Sequence, residues 1–217
     1  MSRLEKGKIK YIAFEGIPSA GKSSQFRRLQ ELIKKEGYDD DFVFVFEPGG
    51  TEISNAIRRV VQEVKFLEEM NLWTETLLYA AARSQLLYTT VIPQLDNGGK
   101  VVSDRCFISS LTYQGIIRGF GIDAVWDLNK IVIENYLPDV ILFYDIDVDT
   151  AFARRNDLWG DKFEREEKDF FFKLKDAYYE VSELDWIKDR WITIDGSGSK
   201  DDVWQRTLAV LKNLNFI

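Results

Sequence analysis

The sequence predicts an α/β fold in which helices cover both faces of a parallel β-sheet. Short apolar runs rich in β-branched and aromatic residues alternate with stretches whose apolar residues recur every three or four positions. A glycine-rich loop joins the first such run to the first helical stretch. Strands that alternate with helices in this way are typical of parallel sheets.

Five apolar runs predict the strands, at residues 10–14, 42–46, 100–103, 140–144 and 191–194. The first helix is predicted at residues 24–35, where Phe26, Leu29, Leu32 and Ile33 share one face. Further periodic stretches predict helices at residues 51–64, 74–95, 108–117, 124–135, 150–155 and 166–184. A last amphipathic helix is indicated by Val203, Trp204, Thr207, Leu208, Leu211 and Leu214.

The length of the chain, 217 residues, favours a single domain over residues 1–217. None of its apolar runs is long enough to span a membrane, and its charged first ten residues lack the apolar core of a secretory signal. The single cysteine, Cys106, cannot form an internal disulfide, which fits a reducing compartment. We therefore expect a cytoplasmic protein with no membrane partner.

The net charge and the composition of the chain limit the partners that it could bind and the reactions that it could catalyse. The formal net charge is −7, so the chain lacks the basic balance typical of nucleic-acid binders, and we expect no nucleic-acid partner. The sequence contains no histidine, the commonest general base and transition-metal ligand. Phosphoryl transfer to a phosphate acceptor suits such a chain, because the acceptor is already ionised at neutral pH and needs only positioning and charge neutralisation.

Residues 16–23 match the P-loop pattern G-x-x-x-x-G-K-[ST]. The strand before them and the helix after them favour a phosphate site over a glycine turn without a ligand. Its glycines let successive backbone N–H groups point at one anion, Lys22 reaches the outer phosphates, and the Ser23 hydroxyl can bind Mg²⁺. The predicted phosphate-binding residues are Gly16, Ser19, Ala20, Gly21, Lys22, Ser23 and Ser24.

Charged residues follow four of the predicted strands: Glu15, Glu47, the pair Asp104-Arg105, and Asp145. Ligands of open parallel sheets bind at the carboxyl ends of the strands, so these residues predict a binding rim. Asp104 is expected to contact Mg²⁺ through water, and Arg105 to bind a phosphate with two hydrogen bonds. For Glu47 and Asp145, a helix N-cap or a solvated loop position is the alternative.

Tyr79 and Arg83 are four residues apart and share a face of a predicted helix. Together they could stack on a nucleobase and bind its carbonyl edge. By itself the pair favours a simpler interpretation, with Tyr79 in the core and Arg83 on the surface. The sharp bend predicted at Glu47-Pro48-Gly49-Gly50 likewise has a purely structural explanation.

Over nearly its whole length the chain resembles the thymidylate kinases. The resemblance lies in Phe14-Glu15-Gly16 with the P-loop, Glu47 to Thr51 with Arg58, Leu78 to Arg83, Ile92-Pro93, Asp104-Arg105, Ser109 to Gly115, Leu137-Pro138-Asp139, Asp161 to Glu164, and Asp169-Phe170. It implies a three-layer α/β/α P-loop kinase fold with a five-stranded parallel sheet and a small lid loop at about residues 154–165. It also implies a homodimer that uses ATP and Mg²⁺ to convert dTMP to dTDP by direct in-line transfer, a step of dTTP biosynthesis.

The resemblance also assigns roles to matching positions. Lys22, Asp104, Arg105 and Arg154 would be catalytic, and Arg154 would open the lid and contact ATP. The residues expected to bind dTMP are Glu15 near its sugar or the metal, Arg58 and Arg105 at its phosphate, Tyr79 stacked on thymine, Arg83 at a thymine carbonyl, Ser110 and Gln114 around the base, and Tyr113 against the sugar 2′ position. Glu47 completes this set.

Three departures from the family pattern stand out. Phe46 replaces an arginine usual in bacterial members, and Cys106 replaces a tyrosine or histidine. The P-loop interior, residues 17–20, contains no basic residue where the family often has an arginine, so Arg154, Arg155, Lys162 or Arg165 would have to supply the lid cation. Two alternatives remain open at this point: a P-loop kinase for another nucleoside or nucleotide, and a nucleotide-binding regulator with weak catalysis.

Overall fold

The structure is a computed structural model that describes residues 9–63, 66–154 and 166–217. Its five strands, all parallel, form one sheet in the order β2-β3-β1-β4-β5. They are β1 (Tyr11–Glu15), β2 (Phe42–Phe46), β3 (Lys100–Asp104), β4 (Val140–Asp145) and β5 (Trp191–Asp195). The predicted strands and the α/β fold class are therefore confirmed.

β1 lies at the centre of the sheet, and all five of its residues are buried. It pairs with β3 so that Phe14 lies opposite Asp104, and with β4 so that Glu15 lies opposite Phe143. The strands thus end near one another, which brings the residues after β1, β2 and β3 to a single edge of the sheet.

Helices cover both faces of the sheet, as neighbouring residues of β4 show. The Tyr144 hydroxyl lies 3.2 Å from that of Thr207 on the last helix, and the Phe143 ring packs 5.1 Å from that of Tyr178 on a different helix. Successive strand residues point to opposite faces, so the two helices lie on opposite sides.

The helices of the described residues are α1 (Lys22–Glu36), α2 (Glu52–Arg58), α3 (Leu72–Leu86), α4 (Ile92–Asp96), α5 (Phe107–Ser110), α6 (Ile122–Ile133), α7 (Val148–Arg154), α8 (Lys168–Ser182) and α9 (Lys200–Asn213). π-helical turns at Arg59–Glu63, Leu87–Val91 and Leu111–Ile117 extend α2, α3 and α5. Short 3₁₀ turns at Asp39–Asp41 and Lys188–Arg190 were not predicted. The helix predicted from residue 74 starts earlier, because the Asn71 side chain caps it by accepting a hydrogen bond from the Trp73 N–H at 2.9 Å.

The predicted lid at about residues 154–165 lies outside the described residues except for Arg154, and so do Arg155, Lys162 and Arg165. Within the ranges that the structure covers, no helix combines the length and the apolar character needed to cross a bilayer.

Candidate active site

The P-loop bends between the end of β1 and the start of α1. Its first glycine, Gly16, has φ +153°, and a Cβ atom there would lie 2.9 Å from the carbonyl oxygen of Tyr144. The second, Gly21, has φ +92° and caps the N-terminus of α1. Both positions therefore require glycine, for space at Gly16 and for the left-handed backbone at Gly21.

The loop forms one wall of a cavity of about 560 Å³, which we name the P-loop cavity. Its lining consists of Ser19 to Gln25, Arg154, Gly196, Gly198, Ser199, Lys200 and Val203. The first turn of α1 contains no acidic residue, so the N–H groups and the positive dipole end of the helix are not neutralised there. The cavity has the properties of a phosphate site at a helix N-terminus.

The two residues expected to bind Mg²⁺ lie together. The Ser23 hydroxyl donates a hydrogen bond to Asp104 Oδ2 at 2.6 Å, and the other carboxylate oxygen of Asp104 is buried without a partner among the described residues. Mg²⁺ commonly takes one or two protein oxygens and completes its shell with phosphate and water. This hydroxyl and carboxylate fit such an ion, and the described residues offer no cluster of three acidic or cysteine ligands.

Glu15 lies beneath the site rather than on its surface. Its carboxylate is fully buried and accepts hydrogen bonds from the Cys106 N–H at 2.9 Å, the Ser109 hydroxyl at 2.8 Å and the Tyr178 hydroxyl at 2.9 Å. Glu15 Oε2 also lies 3.7 Å from Arg105 Nη1. The arrangement anchors the start of α5 and places a negative charge directly behind Arg105.

Arg105 follows β3 with φ +74°, which turns its side chain back toward the P-loop. Its Nη1 donates to the Tyr178 hydroxyl at 3.0 Å and to the Gly16 carbonyl at 3.3 Å. Burial alone would lower the pKa of Arg105, but Tyr113, Tyr178, Glu15 and Asp104 together raise it well above its ordinary value. Arg105 is therefore a permanent cation held in one orientation.

Glu47 and Arg83 form a buried ion pair, with Arg83 Nε 2.6 Å from Glu47 Oε2 and each side chain 4% exposed. Arg83 also donates to the Ser110 hydroxyl at 3.2 Å and to the Asn129 carbonyl oxygen. The alternatives that placed Glu47 at a helix cap and Arg83 on the surface are wrong. Thr51 caps α2 instead, accepting from the Ser54 N–H at 3.1 Å.

Asp145 is not a helix cap either. Its carboxylate lies 2.7 Å from Lys175 Nζ and accepts a hydrogen bond from the Tyr179 hydroxyl at 2.8 Å, both on α8. The N-terminus of α7 is capped by Asp147, which accepts from the Thr150 N–H at 3.1 Å.

A second, narrow cavity, which we name the Tyr79 cavity, collects most of the residues expected to bind the acceptor. It is lined by Glu47, Pro48, Gln62, Tyr79, Arg83, Arg105, Cys106, Ser109, Ser110, Tyr113 and Gln114. The Gln114 amide donates to Glu75 at 3.1 Å, which fixes the orientation of that amide. The flat ring of Tyr79 and the buried polar groups of Arg83, Ser110 and Gln114 suit a planar, polar-edged base.

A third cavity of about 370 Å³, the central cavity, is lined by residues of both others. Its lining is Lys22, Ser23, Phe46, Glu47, Arg58, Gln62, Asp104 and Arg105. Arg58 donates to the Pro48 carbonyl at 2.9 Å, and its guanidinium lies 5.7 Å from the centre of the Phe46 ring. Phe46, a departure from the family pattern, thus supports Arg58, and the three cations Lys22, Arg58 and Arg105 line this cavity.

Sequence reasoning missed four residues of this region. Ser109 lies in the motif from Ser109 to Gly115, which by itself assigns no role to that residue, and Gln62, Asn129 and Tyr178 belong to no motif. Cys106, one of the three departures from the family pattern, is buried, and its backbone N–H donates a hydrogen bond to Glu15.

Comparison with known proteins agrees with this geometry. The sequence model of the thymidylate kinase family matches residues 14–207. The thymidylate kinase of Ligilactobacillus salivarius is 38% identical over 209 residues, which span 94% of this chain and 98% of the relative. That of Caldanaerobacter subterraneus subsp. tengcongensis is 37% identical over 209 residues, spanning 94% and 91%.

A solved structure of thymidylate kinase from Ehrlichia chaffeensis superposes with a TM-score of 0.73 at 24% identity, covering 93% of this chain and 98% of that one. At 24% identity, this structural similarity supports the fold alone. The family match and the two relatives extend over nearly the whole sequence. The chain therefore belongs to the thymidylate kinase family.

Proposed function

We propose that the protein transfers the γ-phosphoryl group of ATP to the 5′-phosphate of dTMP and so produces dTDP. The observation that carries this proposal is the adjacency of the three cavities. Lys22 and Ser23 line both the P-loop and central cavities, whereas Arg105 and Glu47 line both the central and Tyr79 cavities. A donor triphosphate in the P-loop cavity and an acceptor nucleotide in the Tyr79 cavity would bring their phosphates together at the cations of the central cavity.

The mechanism requires charge neutralisation and alignment more than proton transfer. Lys22 would stabilise the charge that develops on the transferred group, and Arg58 and Arg105 would hold the acceptor phosphate in line. A Mg²⁺ ion held by Ser23 and Asp104, directly or through water, would neutralise phosphate oxygens. The acceptor phosphate is ionised at neutral pH, which agrees with the lack of any histidine in the sequence.

Recognition of dTMP rests on the Tyr79 cavity. Tyr79 would stack on thymine, Arg83 would bind a thymine carbonyl, and Ser110 and Gln114 would complete the base contacts. Tyr113, whose ring lies 5.6 Å from the Arg105 guanidinium carbon, would fill the space that a ribose 2′-hydroxyl needs. Glu47 contributes by holding Arg83, and Glu15 by holding Arg105.

A coupled ADP-release assay with ATP and Mg²⁺ across all nucleoside monophosphates and thymidine tests this proposal. We expect the highest kcat/KM with dTMP. A higher kcat/KM with thymidine, dCMP or dGMP would indicate another kinase, and ATP binding without any transfer would indicate a regulator. The family match favours neither alternative.

Arg154 is the described candidate for the lid cation. It ends α7, lines the P-loop cavity and donates to the Gly198 carbonyl at 3.2 Å. We expect Arg154→Ala to lower kcat at least about tenfold and to leave the dTMP KM unchanged, because a cation there would stabilise charge on the donor phosphates. Steady-state kinetics with Arg154→Lys as the charge-preserving control measure this. An unchanged kcat would indicate that the lid cation is Lys162, Arg155 or Arg165 instead.

We also propose that the chain is a single domain, that it forms a homodimer and that it acts in the cytoplasm. Helices α2 and α3 pack together and expose the apolar side chains of Ile53, Leu72, Trp73 and Leu77, a surface typical of protein interfaces. We expect sedimentation velocity to give twice the mass of one chain, and Trp73→Asp to give one. A wild-type monomer at micromolar concentration would contradict this assembly.

The single buried cysteine fits a reducing compartment.

A further inference from the structure

Gln62 lies between the position expected for the acceptor's phosphate and the position expected for its base. It belongs to the π-helical turn Arg59–Glu63 that extends α2. Its side chain lines the central cavity, beside Arg58 and Arg105, and also the Tyr79 cavity, beside Tyr79. It is therefore the neighbour of whatever part of a nucleotide connects its phosphate to its base.

The amide of Gln62 has one polar atom in a hydrogen bond and one without a partner among the described residues. Its Nε2 donates a hydrogen bond to the Tyr79 hydroxyl at 3.2 Å. Its Oε1 is buried and has no hydrogen-bond partner within the part of the chain that the structure describes. Buried acceptors in proteins are nearly always paired, so an unpaired one beside a ligand cavity indicates a donor that arrives with the ligand.

The chemistry of the ligand identifies that donor. The part of a nucleotide between its phosphate and its base is the sugar, whose only hydrogen-bond donors are hydroxyl groups. A 2′-deoxynucleotide with a 5′-phosphate retains one of them, the 3′-hydroxyl. We infer that Gln62 Oε1 accepts a hydrogen bond from the 3′-hydroxyl of the acceptor nucleotide. Gln62 would thus select acceptors whose 3′ position is a free hydroxyl.

This inference rests on the proposed function and adds a determinant of substrate specificity to it. A site built to bind a hydroxyl discriminates strongly against an analogue that lacks it, because the buried acceptor is left unpaired. Leucine at position 62 has similar volume but offers no acceptor, so it should remove the discrimination. Glutamate keeps an acceptor oxygen at the same distance from the backbone.

The experiment compares kcat/KM for dTMP with kcat/KM for 2′,3′-dideoxythymidine 5′-monophosphate. We expect the wild-type enzyme to prefer dTMP by about tenfold or more. We expect Gln62→Leu to reduce that ratio to within about twofold, and Gln62→Glu to retain it. The added charge of glutamate repels both phosphates equally, so its effect cancels in the ratio.

The matched control is Gln94→Leu. The Gln94 amide donates a hydrogen bond to the Asp41 carbonyl at 3.1 Å, and Gln94 lines none of the three cavities. This variant should keep the wild-type ratio of kcat/KM for dTMP to kcat/KM for the dideoxynucleotide. Should Gln62→Leu fold poorly, Gln62→Met and calorimetric binding of the two nucleotides give the same comparison. A ratio unchanged in Gln62→Leu, or a wild-type ratio near one, overturns the inference while dTMP turnover continues. Loss of the proposed function would appear differently, as no transfer to dTMP by the wild-type protein.

Discussion

Lys22→Ala is expected to reduce kcat by roughly 100- to 1,000-fold, because a fixed cation at the site of developing charge typically contributes that much. Lys22 begins α1, is 7% exposed, and lines both the P-loop cavity and the central cavity. A side chain at that junction would lie where negative charge develops on the phosphoryl group during its transfer. Stabilisation limited to the transition state appears in kcat, so the KM values for ATP and dTMP should change far less.

The matched control for this variant lies on the same helix. Lys34 and Lys35 stand in the last turn of α1, exposed and distant from the loop. Lys34→Ala removes the same side chain and charge, and it should leave kcat within twofold of the wild type. Single-turnover kinetics with saturating ATP and Mg²⁺ make the comparison independent of product release. Near-normal turnover by Lys22→Ala would remove the P-loop from the proposed mechanism.

The features that the sequence predicted well depend on neighbours along the chain. The strands follow from contiguous apolar runs, and the P-loop follows from two glycines whose backbone angles no other residue adopts easily. Asp104 and Ser23 were placed together because parallel strands end at one edge, and they lie 2.6 Å apart. In each case a local pattern and a rule of sheet topology were sufficient.

The features that were missed depend on partners far apart in the sequence. Glu15 was expected to face the sugar or the metal, but its carboxylate is enclosed by Ser109 and by Tyr178, which is 163 positions away. Tyr178 fell within the helix predicted at residues 166–184, but the periodicity of that stretch could not show where its hydroxyl points. Asn129 and Gln62 likewise became visible only through contacts formed by folding.

Arg83→Ala is expected to have the largest effect on stability. It leaves the carboxylate of Glu47 buried without its cation, and removal of one member of a buried ion pair typically lowers the free energy of unfolding by about 3–5 kcal/mol. The dTMP KM should also rise far more than the ATP KM, since Arg83 lines the Tyr79 cavity and not the P-loop cavity. Urea denaturation and steady-state kinetics measure the two effects, and equal changes in both KM values would contradict the assignment of the base site.

The pH dependence of this loss separates an unpaired charge from a simple packing defect. Burial raises the pKa of Glu47 above its ordinary value of 4.5, although Arg83 acts to lower it. Without Arg83 the folded-state pKa must rise further, so at pH values between the two folded-state pKa values the folded variant holds a proton that the folded wild type and both unfolded chains have released. Linkage then requires the difference in unfolding free energy between wild type and Arg83→Ala to increase as the pH rises from about 5 to 8. Below the ordinary pKa, Glu47 is protonated in both states and this contribution disappears. The double variant Glu47→Gln/Arg83→Ala has no carboxylate to titrate, so its loss of stability relative to wild type should vary much less over the same range. A loss in Arg83→Ala that stays constant from pH 5 to 8 would mean that Glu47 is not the group left unpaired.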